Sequence, residues 1–340
     1  MECLHFTWVH SWRPDLGKSP CDASVSSCKD EKLLIAVHNL GAEWNTDTCS
    51  VAARHGNLSC LQYLLHEQAC PWRSDVCHAA ALSGSLPCLQ YAREHGCPWD
   101  ENVCRDAARG GSLQCLQYAL QHGCLYYDEL CEVAARWGHL QCLQWLHEQG
   151  CSLTAEACRN AALSGSIPCL QYAHEHCGVW DETVCEAAVR GGWLKCVQYV
   201  HEQGCPWSSA VCSSAASCGN LPVLRYAHEH GCPWAEDTCA AAASRGSLSC
   251  LQYAHEQGCP WSTQTCVHAA QSGHLGCLTY LHEQGCPWNA GTCRAAFEGA
   301  SLPCLQYAHE HGCPISDALV DEARRWGKYD YDMADEVQAL

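Results

Sequence analysis

A chain of 340 residues sits at the upper limit for one compact core, unless it is built from repeats that touch only their neighbours. Its formal net charge of −18 argues against a general binder of nucleic acids or anionic membranes. No apolar run reaches membrane-spanning length and Met1–Lys18 lacks the apolar stretch of a secretory signal, so an intracellular protein of the cytoplasm or nucleus is expected.

Residues 1–43 are the least regular part and are expected to form a degenerate N-terminal repeat or cap. Leu33, Ile35, Gly41 and Trp44 fall in register with Leu61, Tyr63, Ala69 and Trp72, as in the second half of a worn repeat. Residues 44–314 hold ten units of 27 residues, starting at Trp44, Trp72, Trp99, Tyr126, Leu153, Trp180, Trp207, Trp234, Trp261 and Trp288, and only the first spacing is 28. No linker or shift of composition separates them, so they read as one domain. Residues 315–340 begin an eleventh unit and continue into an acidic tail. Glu322 and Arg324 stand there where the tenth unit has Ala295 and Phe297, which suits a cap whose outer face meets water.

Each unit splits into two helical halves. In the third unit, Ala107 and Ala108 follow Cys104 by three and four residues, a spacing that puts all three near one helical face. Asp100 stands where an N-cap belongs, and Asn45, Thr154, Asp181, Ser208, Ser262 and Asn289 hold the same place elsewhere. Gly111 ends this half. The second half starts at Ser112, carries Leu113, Cys115, Leu116 and Tyr118, and ends at Gly123. Pro87, Pro168, Pro222 and Pro303 fall in its first turn in other units, where a missing N–H costs little. Helices of roughly 8–11 residues are marginal alone and must be stabilised by the neighbouring unit.

Most of the 33 cysteines fall in three columns. The first runs from Cys49 through Cys104 to Cys293, the second from Cys60 through Cys115 to Cys304, and the third is the Cys of the recurrent Gly-Cys-Pro-Trp link. Val223 fills one place in the second column, so that column calls for a small apolar group rather than a ligand. Equivalent Cys in adjacent units are expected about 8–10 Å apart, beyond the roughly 4.4–6.8 Å that disulfide Cα atoms require. Pairs between columns within a unit, such as Cys104 with Cys115, can come closer. No Cys-x-x-Cys zinc signature occurs, and neither metal nor cofactor is expected.

The pattern Ala-Ala-x-x-Gly-x-Leu-x-Cys-Leu-x-Tyr-x-x-x-x-Gly-Cys resembles the ankyrin repeat. In that resemblance Ala107, Ala108 and Gly111 match the end of the first helix, Cys115, Leu116 and Tyr118 the apolar face of the second, and Gly123 and Cys124 its Gly-Ala ending. Ankyrin's Thr-Pro-Leu-His is replaced by pairs such as Thr48-Cys49 and Val103-Cys104, so the His that braces the turn there is absent. The unit is also six residues shorter than ankyrin's 33, and the loss falls between Cys124 and Cys131, where ankyrin builds its β-hairpin. The resemblance implies an all-α helix-turn-helix solenoid with hairpin fingers absent or vestigial. It also implies a non-enzymatic, cysteine-rich protein whose first helices line a concave, partner-binding side.

No catalytic residues stand out. The His of His-Glu-His and His-Glu-Gln recur in most units, which fits a solvated row on the outer end of the second helix; a pH-responsive ladder is the sharper alternative. In an array, residues that recur are structural and those that vary are candidates for recognition. On the first helices the variable places carry Arg105, Arg109, Glu132, Arg136, Arg159, Glu186 and Arg190, and Trp137 and Trp193 intrude where other units have small or polar residues. Eight of the 14 Arg fall on such helices, Arg54, Arg245 and Arg294 among them. Exposed Trp and Arg are favoured anchors of protein interfaces. The expectation is a monomeric protein-interaction scaffold whose unidentified partner carries an acidic patch; the alternatives are a Cys-rich metal-binding or redox-buffering protein, and an eroded repeat with no partner.

Overall fold

The computed structural model describes residues 46–66, 73–124, 129–178, 181–234, 236–316 and 319. The expected N-terminal cap (1–43), the cap residue Asn45, the link residues Trp72, Tyr126 and Trp180, and the acidic tail lie outside these. The described residues form twenty helices and no strand. In chain order they are α1 Thr46–Arg54, α2 Leu58–His66, α3 Ser74–Ser83, α4 Leu86–Glu94, α5 Asn102–Gly110, α6 Leu113–Gln121, α7 Glu129–Arg136, α8 Leu140–Glu148, α9 Ala155–Ser164 and α10 Ile167–Cys177. They continue as α11 Glu182–Gly191, α12 Leu194–Glu202, α13 Ser209–Ser217, α14 Leu221–Glu229, α15 Glu236–Ser244, α16 Leu248–Glu256, α17 Thr263–Gln271, α18 Leu275–Glu283, α19 Ala290–Glu298 and α20 Leu302–Glu310. Odd-numbered helices are first helices of a unit and even-numbered ones are second helices.

The chain packs as two compact units, Met1–Ala157 and Cys158–Leu340. In the first, α1, α3, α5 and α7 lie side by side, as do α2, α4, α6 and α8. In the second, α11 to α19 form one row of first helices and α10 to α20 one row of second helices. Each is an all-α stack of ankyrin-like helix pairs, the solenoid that the sequence resemblance implies.

The core follows the repeat. Cys104, Ala107 and Ala108 are fully buried on α5, and Cys115, Leu116 and Ala119 on α6. Tyr118, matched to the apolar face by sequence, is only half-buried. Small side chains on the first helices let neighbouring axes approach closely. The buried leucine of each second helix, replaced by Val197 in α12, supplies about 1.5–3 kcal/mol by burial.

Helix starts use the expected residues in part. Asp181 Oδ1 accepts from Thr183 N at 3.0 Å, and Asn289 Oδ1 from Gly291 N at 2.8 Å. Asp100 does the same for Asn102 N at 2.9 Å. Ser208 makes no such bond, and the Thr154 hydroxyl instead donates to Glu132 Oε1 at 3.0 Å. Second helices are capped by Ser112, Ser166 and Asn220.

One contact joins successive pairs. The residue at the N-cap of a second helix packs on the left-handed glycine that ends the first helix of the preceding unit. His139 lies on Gly111 and its Nε2 meets the Arg109 carbonyl at 3.0 Å; Asn220 Nδ2 donates to the Gly192 carbonyl at 2.7 Å. At Gly165, with φ +81°, an added Cβ would sit 2.5 Å from the Trp193 ring. Gly258 has nearly the same φ, +82°, and open space around it. Gly258→Ala is therefore expected to cost only the left-handed backbone penalty, about 1–2 kcal/mol. Gly165→Ala adds the clash, for a total of about 2–5 kcal/mol. Urea unfolding of both, with and without Trp193→Ala, checks this: removing the indole is expected to bring Gly165→Ala down to the Gly258→Ala level.

Candidate functional site

The predicted binding residues divide between the two units. In the first, Arg105 and Arg109 from α5, Arg136 from the end of α7 and Trp137 just after it line one groove of about 490 Å³. The Arg109 guanidinium stands 4.8 Å from the centroid of the Trp137 ring, whose residue remains 49% exposed. Such stacking holds an otherwise mobile cation over a fixed plane. Glu132 does not line the groove. It is half-buried and accepts from the Thr154 hydroxyl, a bond that ties α7 to the next link.

Sequence reasoning missed the floor of this groove, which is built from His78, Asn102, Asp106 and Val133. His78 Nδ1 lies 2.7 Å from Asp106 Oδ2 and its Nε2 3.2 Å from Asp100 Oδ1. A ring that donates from both nitrogens is an imidazolium. The Asp106 hydrogen bond, with the Asp100 and Asp106 charges, raises the His78 pKa above its usual value against the opposing effect of burial. The clue was present in the repeat register: Asp106 is an acid in a column that reads Val51, Ala79 and Val133 in the other units described beside it.

In the second unit the predicted residues do not gather in this way. Arg159 on α9 is exposed. Arg190 Nη2 reaches Glu186 Oε2 at 4.0 Å across one turn of α11, an exposed pair of small energetic value. Trp193 is 52% exposed, with one face spent on Gly165. Arg245, placed on a first helix by register, lies in the turn after α15.

The histidines are not all an outer row. In the second unit, the first His of each His-Glu-x is half-buried between units. The Tyr226 hydroxyl donates to His201 Nδ1 at 3.1 Å, and Tyr253, Tyr280 and Tyr307 do the same for His228, His255 and His282 at 3.1, 2.9 and 3.1 Å. Each of these His rings also faces the Trp of its own link, the closest being His255 and Trp261 with centroids 3.7 Å apart. Burial lowers the pKa of His174 and of His201, the latter helped by His230, so both rings stay neutral acceptors. Burial raises the Tyr226 pKa and keeps its hydroxyl a donor. In the first unit Arg93 takes the place of the His, 4.6 Å from the Trp99 ring centroid. The second His of each His-Glu-His is exposed and caps its own helix; His230 Nδ1, for example, donates to the Tyr226 carbonyl at 2.8 Å.

The described members of all three Cys columns are buried, and Val223 is as buried as its Cys equivalents. Within a unit, the close pairs join the first column to the third. Cys104 meets Cys124, and the same spacing pairs Cys185 with Cys205 and Cys266 with Cys286. The hydrogen bond to the partner sulfur and burial both push the first thiol of each pair far up. The second thiol turns to the N-cap carbonyl of its own unit, as Cys205 Sγ does to the Asp181 carbonyl at 3.1 Å. Among the described residues, only Cys218 is exposed and only Cys177 half-exposed. Within the same residues no three His, Cys, Asp or Glu side chains converge in a metal-holding group, and no helix is long and apolar enough to cross a membrane.

No family model matches the chain, and no curated protein is similar to it. Among solved structures it is similar to the human ASB11 ankyrin repeat domain, at 16% identity, over 54% of this chain and 84% of that one, with a TM-score of 0.31. The fold assignment rests on the helix pairs and their register rather than on that likeness.

Two titrations of opposite sign follow from the histidines. His78 binds its proton more tightly folded than unfolded, so its stabilisation is full below about pH 6.5 and fades as pH rises through its raised value. His201 binds its proton less tightly folded, so its stabilisation is present above about pH 6.5 and is lost as pH falls. In urea unfolding, His78→Gln is expected to destabilise more at pH 5.5 than at pH 8, and His201→Gln more at pH 8 than at pH 5.5. For the thiols, a disulfide reagent added to native protein is expected to lose one fast-reacting equivalent in Cys218→Ser, while the three columns react only on unfolding.

Proposed function

We propose that the protein is a non-enzymatic, monomeric protein-interaction scaffold of the cell interior, and that it holds an acidic patch of a partner protein in the groove between α5 and α7. The observation that carries this reading is the Arg109–Trp137 stack, set between Arg105 and Arg136 in a chain of net charge −18. A half-exposed indole beside three guanidinium groups has no role in the repeat, since the other units fold without it. Indole and guanidinium are the groups that most often dominate interface energetics. The stacked helices hold them in place beforehand, so little ordering entropy is lost when a partner binds.

Arg159, Glu186, Arg190 and Trp193 belong to this proposal as a second contact area carried by the other unit. The competing thiol-buffer reading needs reactive sulfur, and the described columns bury theirs. Capture of partners from lysate of the source cells, with wild type beside Arg136→Glu/Trp137→Ala, tests the scaffold reading. A protein retained by the wild type and lost from the folded variant is expected. Retention of the same proteins by both would remove the groove from the reading. Substitution of the pair is expected to weaken a genuine partner by about 2–4 kcal/mol.

A further inference from the structure

The groove is not uniformly basic. Next to the cavity lined by Arg109, Arg136 and Trp137 lies a second of about 250 Å³, which shares Asn102, Arg105 and Val133 with it and adds Glu101, Glu129 and Leu130. Both acids are exposed at the N-terminal ends of α5 and α7, and both terminal Arg are exposed at the C-terminal ends. Acidic first turns recur elsewhere, as in α15, and there they complement the helix dipole. What sets α5 and α7 apart is that two neighbouring helices carry a Glu at the start, Glu101 at the N-cap of α5 and Glu129 in α7, and an Arg in the last turn, along one depression. The Asp106 carboxylate, which lines the basic end, is engaged by His78 Nδ1 at 2.7 Å.

From this we infer that the groove recognises an extended segment of its partner carrying two opposite charges at fixed spacing. An acidic side chain sits beside Arg109 and Arg136, a basic side chain sits beside Glu101 and Glu129, and the chain between them passes over Val133 and Arg105. The spacing follows from geometry. Seven or eight helical residues separate the two ends, about 10–12 Å at 1.5 Å per residue. An extended strand covers that span in about three to four residues. The partner motif is therefore an acidic and a basic residue three or four positions apart. A uniformly acidic stretch would place a carboxylate against Glu101 and Glu129. This inference rests on the scaffold reading and sharpens it from an acidic patch to a charge-polarised segment.

A bead-displayed library of nine-residue peptides, with Asp, Lys and Ala randomised at every position, probes the full-length protein directly. Wild type is expected to enrich Asp and Lys three or four positions apart. Glu101→Lys/Glu129→Lys is expected to shift the selection to uniformly acidic peptides and to weaken the mixed peptide at least about tenfold, or about 1.4 kcal/mol. Arg109→Glu/Arg136→Glu is expected to abolish enrichment of the mixed peptide. All four substituted residues are exposed, and circular dichroism of each variant verifies that the helices remain. Enrichment of uniformly acidic peptides by wild type, the same selection from wild type and both variants, or no charge-dependent selection would each overturn the inference. The two readings fail separately. A cellular partner lost with Arg136→Glu/Trp137→Ala but indifferent to Glu101→Lys/Glu129→Lys would sink the polarity and leave the scaffold standing. A polarised selection without any groove-dependent cellular partner would do the reverse.

Discussion

The face Cys-x-x-Ala-Ala, carried by every described first helix except α11 and α19, where Val189 and Phe297 take the last place, is the contact on which everything else depends. A helix of nine residues such as α5 cannot hold itself together in water, because nucleation is not repaid over so short a length. It persists because Cys104, Ala107 and Ala108 are wholly removed from solvent against neighbouring helices. Small side chains suit that contact for two reasons. They lose little rotamer freedom on burial, and they let helix axes come close enough that no larger residue is needed to fill the seam. Cysteine belongs to this seam as a small hydrophobe whose sulfur also finds a nearby sulfur or carbonyl. That explains why its column accepts no polar replacement, and why Val223 can stand in the neighbouring column.

The second constraint is a consequence of the first. If each unit repeats the same seam, the turn that ends each first helix meets the cap of the next second helix at the same place. Glycine answers there because the backbone turns left-handed and because a side chain arrives from the neighbour: Ser85 at Gly56, His139 at Gly111, Trp193 at Gly165. Aromatic contacts close the far side in the same register along Cys158–Leu340, where Tyr226, Tyr253, Tyr280 and Tyr307 each reach back to the His of the preceding repeat. The two contacts make neighbouring units mutually dependent, as expected of arrays whose stability lies in their interfaces.

The repeat was legible in the sequence to within a residue or two, because its periodicity is the same physical fact as the stacking. Helix ends at Gly84, Gly111 and Gly192, the buried Ala pairs and the buried Cys columns all stood in register before any coordinate was known. What the sequence concealed were contacts between residues far apart in the chain. The Cys104–Cys124 pairing, the Tyr-to-His hydrogen bonds and the His78–Asp106 bond join residues 20 to 28 positions apart, and no local spacing announces them. The recurrent His therefore read as a solvated row, when half of them sit between aromatic rings. The bond from the Thr154 hydroxyl to Glu132, 22 positions apart, was hidden in the same way.

The same reasoning says where recognition can evolve in such an array. Positions in the seam, the left-handed turns and the aromatic contacts are bound by their neighbours on both sides, and a change there is felt in three units. The outward places on the first helices face solvent rather than the stack, so charge varies there at little cost to it. Arg105, Arg109 and Arg136 lie at such places. Trp137 is the informative exception, since an exposed indole carries a solvation cost that the fold does not need to bear. Stacking under Arg109 offsets part of that cost and fixes both groups in one orientation. A similar stack joins Arg93 to Trp99 at 4.6 Å, but there the Trp belongs to the recurrent link, whereas Trp137 stands where the other units have small or polar residues.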